Sequence, residues 1–227
     1  MTMKKKSNAL ILFARVPKLG KVKTRLNPNF SEEIVLSLYT RFLKDSIEKI
    51  SKISSADHFI AGFPEKGIAY FDEIAAKGDL RVFSQKGESL GDKMRNAFID
   101  RFLEGYEKVA IIGSDSPSLP LENIETAFQS EKDVILGPSS DSGYYLIGMN
   151  RKTAEVFEGI TWGSDQVLGQ TLKRIQLIKA SLELLPLWYD VDEFKDLALL
   201  KTHSECLAYS GQDFPKATLE LLKKIEI

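Results

Sequence analysis

Five cations crowd one short loop near the start of the chain. The stretch Ala14-Arg-Val-Pro-Lys-Leu-Gly-Lys-Val-Lys-Thr-Arg-Leu26 sets Arg15, Lys18, Lys21, Lys23 and Arg25 around Pro17 and Gly20. Elsewhere the charges nearly cancel, 31 basic against 32 acidic side chains, so this excess is local. The loop leaves Ala9-Leu-Ile-Leu-Phe13, an apolar run of the kind buried on both faces of a parallel sheet. A cationic loop at the carboxyl end of an N-terminal strand is where α/β proteins bind phosphorylated ligands. Gly20 lets backbone N–H groups approach an anion, and Thr24 adds a hydroxyl. The plain alternative is a solvated basic loop; the position, the glycine and the threonine together favour phosphate.

Carboxylates recur at three later points. Val109-Ala-Ile-Ile112 reads as a buried strand, and Gly113-Ser-Asp115 carries an acid just beyond its end. Pro117 and Pro120 exclude a helix there. A carboxylate at that edge can hold a hard divalent cation bridging phosphate oxygens. The alternative for Asp115 is a turn or helix cap. Asp141, in Gly137-Pro-Ser-Ser-Asp-Ser-Gly143, is a candidate general base or a group that fixes an acceptor hydroxyl. Asp-Ser-Gly is equally an ordinary turn. Asp190 and Asp192 are two apart and share a face of an extended chain, so either can supply a second metal ligand. One of them can instead cap a helix beginning near Glu193.

The elements that must position these groups alternate. Strands are expected at 9–13, 56–63, 80–84, 109–112, 134–136, 144–148 and 182–185. Helices are expected at 31–50 with Ser31 as N-cap, and at 68–76, 90–104, 121–128, 164–174, 193–200 and 215–225. No repeat, long linker or low-complexity segment interrupts them. The alternation predicts one α/β domain over 1–227, a mainly parallel sheet with helices on both faces. A chain of 227 residues with 43% hydrophobic and 28% charged residues can bury such a core. A net charge of −1 argues against a nucleic-acid surface. The basic start is followed by too short an apolar run for a membrane span and lacks a signal-peptide cleavage site, so no membrane partner and a cytoplasmic location are expected. The lone cysteine, Cys206, forbids an internal disulfide and is expected in the core.

Taken together, these segments resemble the nucleotide-diphospho-sugar transferases of glycosyltransferase-A type, in particular a group of small bacterial arsenosugar-biosynthesis glycosyltransferases. Phe-x-Arg-x-Pro-x-x-Gly-x-x-Lys-Thr-Arg-Leu matches from Phe13 to Leu26, and Gly-x-Asp-x-Pro from Gly113 to Pro117. Gly-Pro-x-x-Asp-x-Gly-Tyr-Tyr-Leu-x-Gly matches from Gly137 to Gly148, and Trp162, Val167 and Thr171 match a further spacing. The chain departs at the late motif, Asp190-Val-Asp192-Glu193-Phe194, where relatives read Asp-x-Asp-Thr and then an acidic pair. The resemblance implies that Arg15, Lys23 and Arg25, on the turn at Gly20, hold nucleotide phosphates. It implies that Gln85 and the stretch from Gly87 to Gly91 read the base or ribose. It implies that Asp115, with Asp192, binds Mg²⁺ or Mn²⁺. Trp162 and Tyr145 become candidates for an acceptor pocket.

Two reactions fit. A nucleotide sugar can give its sugar to a small-molecule acceptor, or a nucleoside triphosphate can give its nucleotidyl group to a phosphorylated substrate. The chain also resembles 2-phospholactate and molybdenum-cofactor guanylyltransferases, which run the second reaction. The Gly-Tyr-Tyr-Leu stretch, and the lack of a glycine-dense opening loop, favour glycosyl transfer. A third reading, of another class, is a non-catalytic nucleotide-binding protein.

Overall fold

The computed structural model describes residues 5–76, 79–150 and 154–227. Its sheet has seven strands: β1 (Asn8–Arg15), β2 (Ala56–Phe63), β3 (Leu80–Ser84), β4 (Lys108–Gly113), β5 (Val134–Pro138), β6 (Tyr144–Met149) and β7 (Leu182–Leu184). They lie in the order β3-β2-β1-β4-β6-β5-β7. The helices are α1 (Glu32–Ile50), α2 (Ala69–Ala75), α3 (Leu90–Leu103), α4 (Leu121–Gln129), α5 (Val167–Leu177), α6 (Phe194–Tyr209) and α7 (Lys216–Leu222). No helix of the described residues is long and apolar enough to cross a membrane.

The apolar runs do what their composition requires. In β1, Leu10, Leu12 and Ala14 point to one face, against Tyr39 and Leu43 of α1 and Ile124 and Phe128 of α4. Ala9 and Ile11 point to the other face, against Met94 and Phe98 of α3 and Ile175 of α5. A strand covered on both faces needs apolar residues throughout, which is why these runs show no alternation. Strands β1, β2, β3 and β4 are mutually parallel, so the carboxyl ends of β1 and β4 emerge side by side. Strand β6 is antiparallel to both β4 and β5. The physical reason is length: five residues separate β5 from β6, enough for a hairpin and too few for a crossover.

A third apolar cluster lies outside the sheet. Leu26, Val35, Leu38, Phe42, Val191 and Leu197 are buried together between the opening loop, α1 and α6. Leu26 follows Arg25, and Val191 sits between Asp190 and Asp192, so this cluster anchors both the cationic loop and the late acidic motif.

Three expectations need correction. Cys206 is exposed on α6, not in the core. The helix expected at 193–200 continues to Tyr209, with Ser204 buried and Glu205 and Cys206 on its solvent side. Neither Asp190 nor Asp192 caps that helix: Glu193 and Asp196 form the capping box, and Asp196 accepts from the N–H groups of Asp192 and Glu193 at 3.0 and 2.8 Å. Ser31 is the N-cap of α1 as expected, accepting from the Ile34 N–H at 3.4 Å.

Candidate active site

The cationic loop closes on the carboxyl edge of β1 and β4. Lys23 adopts a left-handed backbone, φ 45°, which costs an L-residue about 1–2 kcal/mol. Buried Val22 and Leu26 on either side hold it there. The bend sends the Lys23 side chain inward, where it is only 5% exposed. Its Nζ lies 2.7 Å from Asp115 Oδ1 and 2.8 Å from Asp192 Oδ1. Burial alone would lower the Lys23 pKa, but the two carboxylates outweigh it and the net shift is upward. Asp192 shifts the other way: burial raises its pKa, and Lys23 and Arg25 more than reverse this, so it lies below the ordinary carboxylate range. Arg25 Nη1 reaches Asp192 Oδ2 at 3.4 Å.

Backbone geometry brings the distant motifs together. The Val191 N–H donates to the Asp115 carbonyl at 2.9 Å, setting the late motif beside the exit of β4. Asp190 turns the other way and accepts a short hydrogen bond from Ser116 Oγ. Burial, with the neighbouring Asp115 and Asp141 charges, pushes its carboxyl up to about 6, against the relief given by Ser116 and Lys23. Tyr39 of α1 ties the two strand ends: its hydroxyl accepts from the Arg15 N–H at 2.8 Å and lies 3.3 Å from Ser114 Oγ.

Two adjoining cavities meet here. The larger, about 670 Å³, has Arg15, Lys21, Lys23, Arg25, Phe63 and Lys93 on its wall. Lys93 Nζ sits 3.6 Å from the centre of the Phe63 ring. The second, about 450 Å³, lies between Phe13, Met94, Tyr144 and Trp162, with Asp141 and Asp190 on its wall. Both volumes fall in the range of small-molecule sites.

The structure thus brings Arg15, Lys23, Arg25, Asp115 and Asp192 into one cleft and Asp141 into the next. The other expected residues have packing to do. Gly20, φ 66°, makes the turn that a side chain would close, since a Cβ would meet the Glu32 carboxylate at 2.7 Å. Gly91 makes room for the Trp162 indole, which a Cβ would meet at 2.6 Å. Gln85 lines the larger cleft, but its amide nitrogen donates to the carbonyls of Ala61 at 2.7 Å and Ala14 at 3.4 Å. Only its oxygen is left to meet a base edge. Tyr145 is almost wholly buried but lines both cavities, and its hydroxyl is tied down, accepting from Asn123 at 2.8 Å and donating to the Pro186 carbonyl at 2.9 Å. Trp162 faces the second cavity, edge-on to Tyr144 with ring centres 6.5 Å apart. Asp141 accepts from the Gly143 N–H at 2.9 Å and from Ser139, so the Asp-Ser-Gly turn exists as such while its carboxylate lines the cavity. Sequence reasoning missed Tyr39, Phe63 and Lys93. Lys93 carried a signal, since it stands in the first turn of a helix opened by a Ser89–Asp92 capping box.

The divalent cation can be tested against this geometry. Among the described residues, no three His, Cys, Asp or Glu side chains converge as a metal cage. Asp115 and Asp192 do converge, and a cation already stands between them, the Lys23 ammonium. Mg²⁺ is commonly held by one or two carboxylates, with phosphate oxygens and water completing the shell. Asp115 and Asp192 fit that donor set, since their oxygens already converge on one cation.

The chain is similar to several proteins described as nucleotide transferases. A candidate nucleotide-diphospho-sugar transferase from Desulfovibrio desulfuricans G20 superposes with a TM-score of 0.86 at 29% identity, over 96% of this chain and 95% of that one. The inositol-1-phosphate CTP transferase of T. maritima shares the fold at 15% identity and a TM-score of 0.54, over 99% of each chain. In sequence, 151 residues are 27% identical to the 2-phospho-L-lactate guanylyltransferase of Methanosphaera stadtmanae, covering 64% of this chain. The match spans 63% of that relative's length. Residues 46–164, just over half the chain, match the family described as "Uncharacterized protein conserved in bacteria (DUF2064)"; the chain belongs to that family and has the nucleotide-diphospho-sugar transferase fold.

Proposed function

We propose that this transferase binds a nucleotide sugar in the larger cleft and passes the sugar to a small-molecule acceptor in the adjoining cavity. The observation that carries the reading is the Lys23 ammonium between Asp115 and Asp192, on the edge of β1 and β4 and among Arg15, Arg25 and Lys93. A diphosphate satisfies those cations, and Asp115 and Asp192 would hold Mg²⁺ or Mn²⁺ against it. Such an ion, when bound, neutralises charge on the departing diphosphate.

The residues of the chain do the rest. Arg15, Arg25 and Lys93 orient the diphosphate, and Lys23 moves from the carboxylates to a phosphate oxygen. The acceptor heteroatom forms its bond to the anomeric carbon as the bond from that carbon to the β-phosphate oxygen breaks. The electron pair leaves with the nucleoside diphosphate. The acceptor proton passes to a carboxylate of the second cavity, where Asp141 and Asp190 stand. Aromatic Tyr144 and Trp162 offer faces on which a sugar ring packs.

Nucleotidyl transfer is the second reading, favoured by the 27% identity to a guanylyltransferase. There the acceptor phosphate attacks the α-phosphate of a nucleoside triphosphate and pyrophosphate leaves. A thermal-shift screen of nucleoside diphosphates, triphosphates and nucleotide sugars, with and without Mn²⁺, selects the donor. Product analysis then separates the reactions: nucleoside diphosphate supports glycosyl transfer, pyrophosphate the second reading, and neither product a binding protein.

A further inference from the structure

The two cavities share a wall and carry opposite charge. The larger presents five cationic side chains, Arg15, Lys21, Lys23, Arg25 and Lys93, against the carboxylates Asp115, Asp190 and Asp192. The second presents Asp141, Asp165, Asp190 and Asp192. Its one cation among the described residues is Arg25, already paired with Asp192 at 3.4 Å and facing the larger cleft as well. Among the described residues, no lysine or histidine lines this second cavity. Ser139 and Ser164 add neutral hydroxyls, and Phe13, Met94, Tyr144, Trp162 and Val167 give the wall an apolar and aromatic body.

This asymmetry bears on the acceptor, given the reading that the larger cleft holds the nucleotide. A phosphate monoester brings close to two negative charges and three oxygens that must be met by donors or cations. Here it would face Asp141, Asp165 and Asp190 with no free cation among the described residues, next to a bound diphosphate of the same sign. Like charges brought together in a partly desolvated cleft repel, and no hydrogen bond to an ionised carboxylate can be donated by a phosphate dianion. A neutral hydroxyl can donate to Asp141 or Asp190, and an ammonium can pair with them, while an apolar body covers Trp162 and Tyr144.

We infer that the second cavity takes an uncharged or cationic acceptor with an apolar face, and rejects phosphorylated ones. The chain therefore differs in acceptor chemistry from an enzyme whose acceptor is a phosphate ester, though both share the nucleotide cleft.

The test uses three probes with one aryl body: benzyl alcohol, benzylamine and benzyl phosphate. The full-length protein carries 5-fluorotryptophan, and the two ¹⁹F resonances from Trp162 and Trp188 are assigned with Trp188→Phe. Titrations run at low salt on the protein alone and with Mg²⁺ and the best nucleoside diphosphate. Benzylamine and benzyl alcohol should move the Trp162 resonance saturably. Benzyl phosphate should bind at least about tenfold more weakly, the ratio given by about 1.4 kcal/mol of repulsion. The gap should narrow in the double variant Asp141→Asn/Asp165→Asn, whose two positions are exposed. Benzyl phosphate binding as tightly as the alcohol overturns the inference, as does a gap unchanged in the double variant, or three probes that leave Trp162 unmoved. Failure of every nucleoside diphosphate to bind defeats the nucleotide reading instead, and the titrations of the protein alone still judge the cavity.

Discussion

Replacing Lys23 with Met removes a charge while keeping the length and apolar stem of the side chain. It leaves Asp115 and Asp192 facing each other with Arg25 as the nearest compensation, 3.4 Å from Asp192. Breaking a fully buried ion pair costs about 3–5 kcal/mol, and an exposed one about 0–1. Lys23 is 5% exposed, but Asp115 and Asp192 are 43% and 31% exposed. Solvent screens the two carboxylates, so the discounted expectation is a loss of about 1–2 kcal/mol. For a chain of this size that lowers Tm by about 2–8 °C. The sign with pH follows from the shifts. Lys23 is raised, so its contribution is whole below its ordinary 10.5 and fades as pH rises through the folded value. Asp192 is lowered, so its contribution is whole above 3.8 and fades as pH falls through its folded value. The gap between wild type and variant should be flat through neutral pH and close in acid. Metal adds the decisive comparison. With no ammonium between the carboxylates, Mn²⁺ should restore most of the lost stability of Lys23→Met without nucleotide, and barely move the wild type. Calorimetric scans of both proteins with and without MnCl₂ measure this. Equal Tm values, or equal Mn²⁺ responses, would refute the idea that Lys23 stands in the cation's place.

Four further substitutions probe the site. Arg25→Ala removes a charge-assisted phosphate contact and should weaken nucleoside diphosphate binding by about 1.5–3 kcal/mol in titration calorimetry. Asp115→Asn should abolish most of the Mn²⁺-dependent gain in nucleotide affinity while leaving the far-UV circular dichroism unchanged; a full gain in the variant refutes the metal role. Asp190→Asn tests burial. The carboxyl is raised from 3.8 to about 6, so metal-free wild type loses up to about 3 kcal/mol between those pH values, and the variant should be the more stable at pH 7 but not below pH 4. Gly91→Ala puts a Cβ 2.6 Å from the Trp162 indole, so it should cost about 1–3 kcal/mol and shift Trp162 fluorescence, with nucleotide affinity nearly unchanged.

Element types were legible because they follow from local patterns. The unbroken apolar runs of β1 and β4 marked a sheet buried on both sides. Ser31 before Glu32 and Glu33 marked the start of α1. The direction of β6 was not drawn from the same signals, since an apolar run has no polarity; the short link after β5 sets it. The packing partners of Gly91 and Tyr145 were out of reach for a related reason. A glycine in the first turn of a helix and a tyrosine in a Gly-Tyr-Tyr motif show no packing partner in one dimension. Their partners, Trp162, Asn123 and Pro186, lie far away in the chain.

The sequence by itself determined the kinds of chemistry: a cationic loop after the first strand, acids after the fourth and seventh, and an α/β frame whose carboxyl edge gathers them. Those are properties of residue type and period, and they survive without coordinates. Only the tertiary structure decided which charges meet. Lys23 reaches two carboxylates that follow it by 92 and by 169 positions, because a left-handed backbone turns it inward and Val191 bonds to the Asp115 carbonyl. The division into a basic cleft and an acidic cavity was likewise invisible beforehand. Charge sign is written in the chain, but which wall a charge occupies depends on packing between elements remote from one another in sequence.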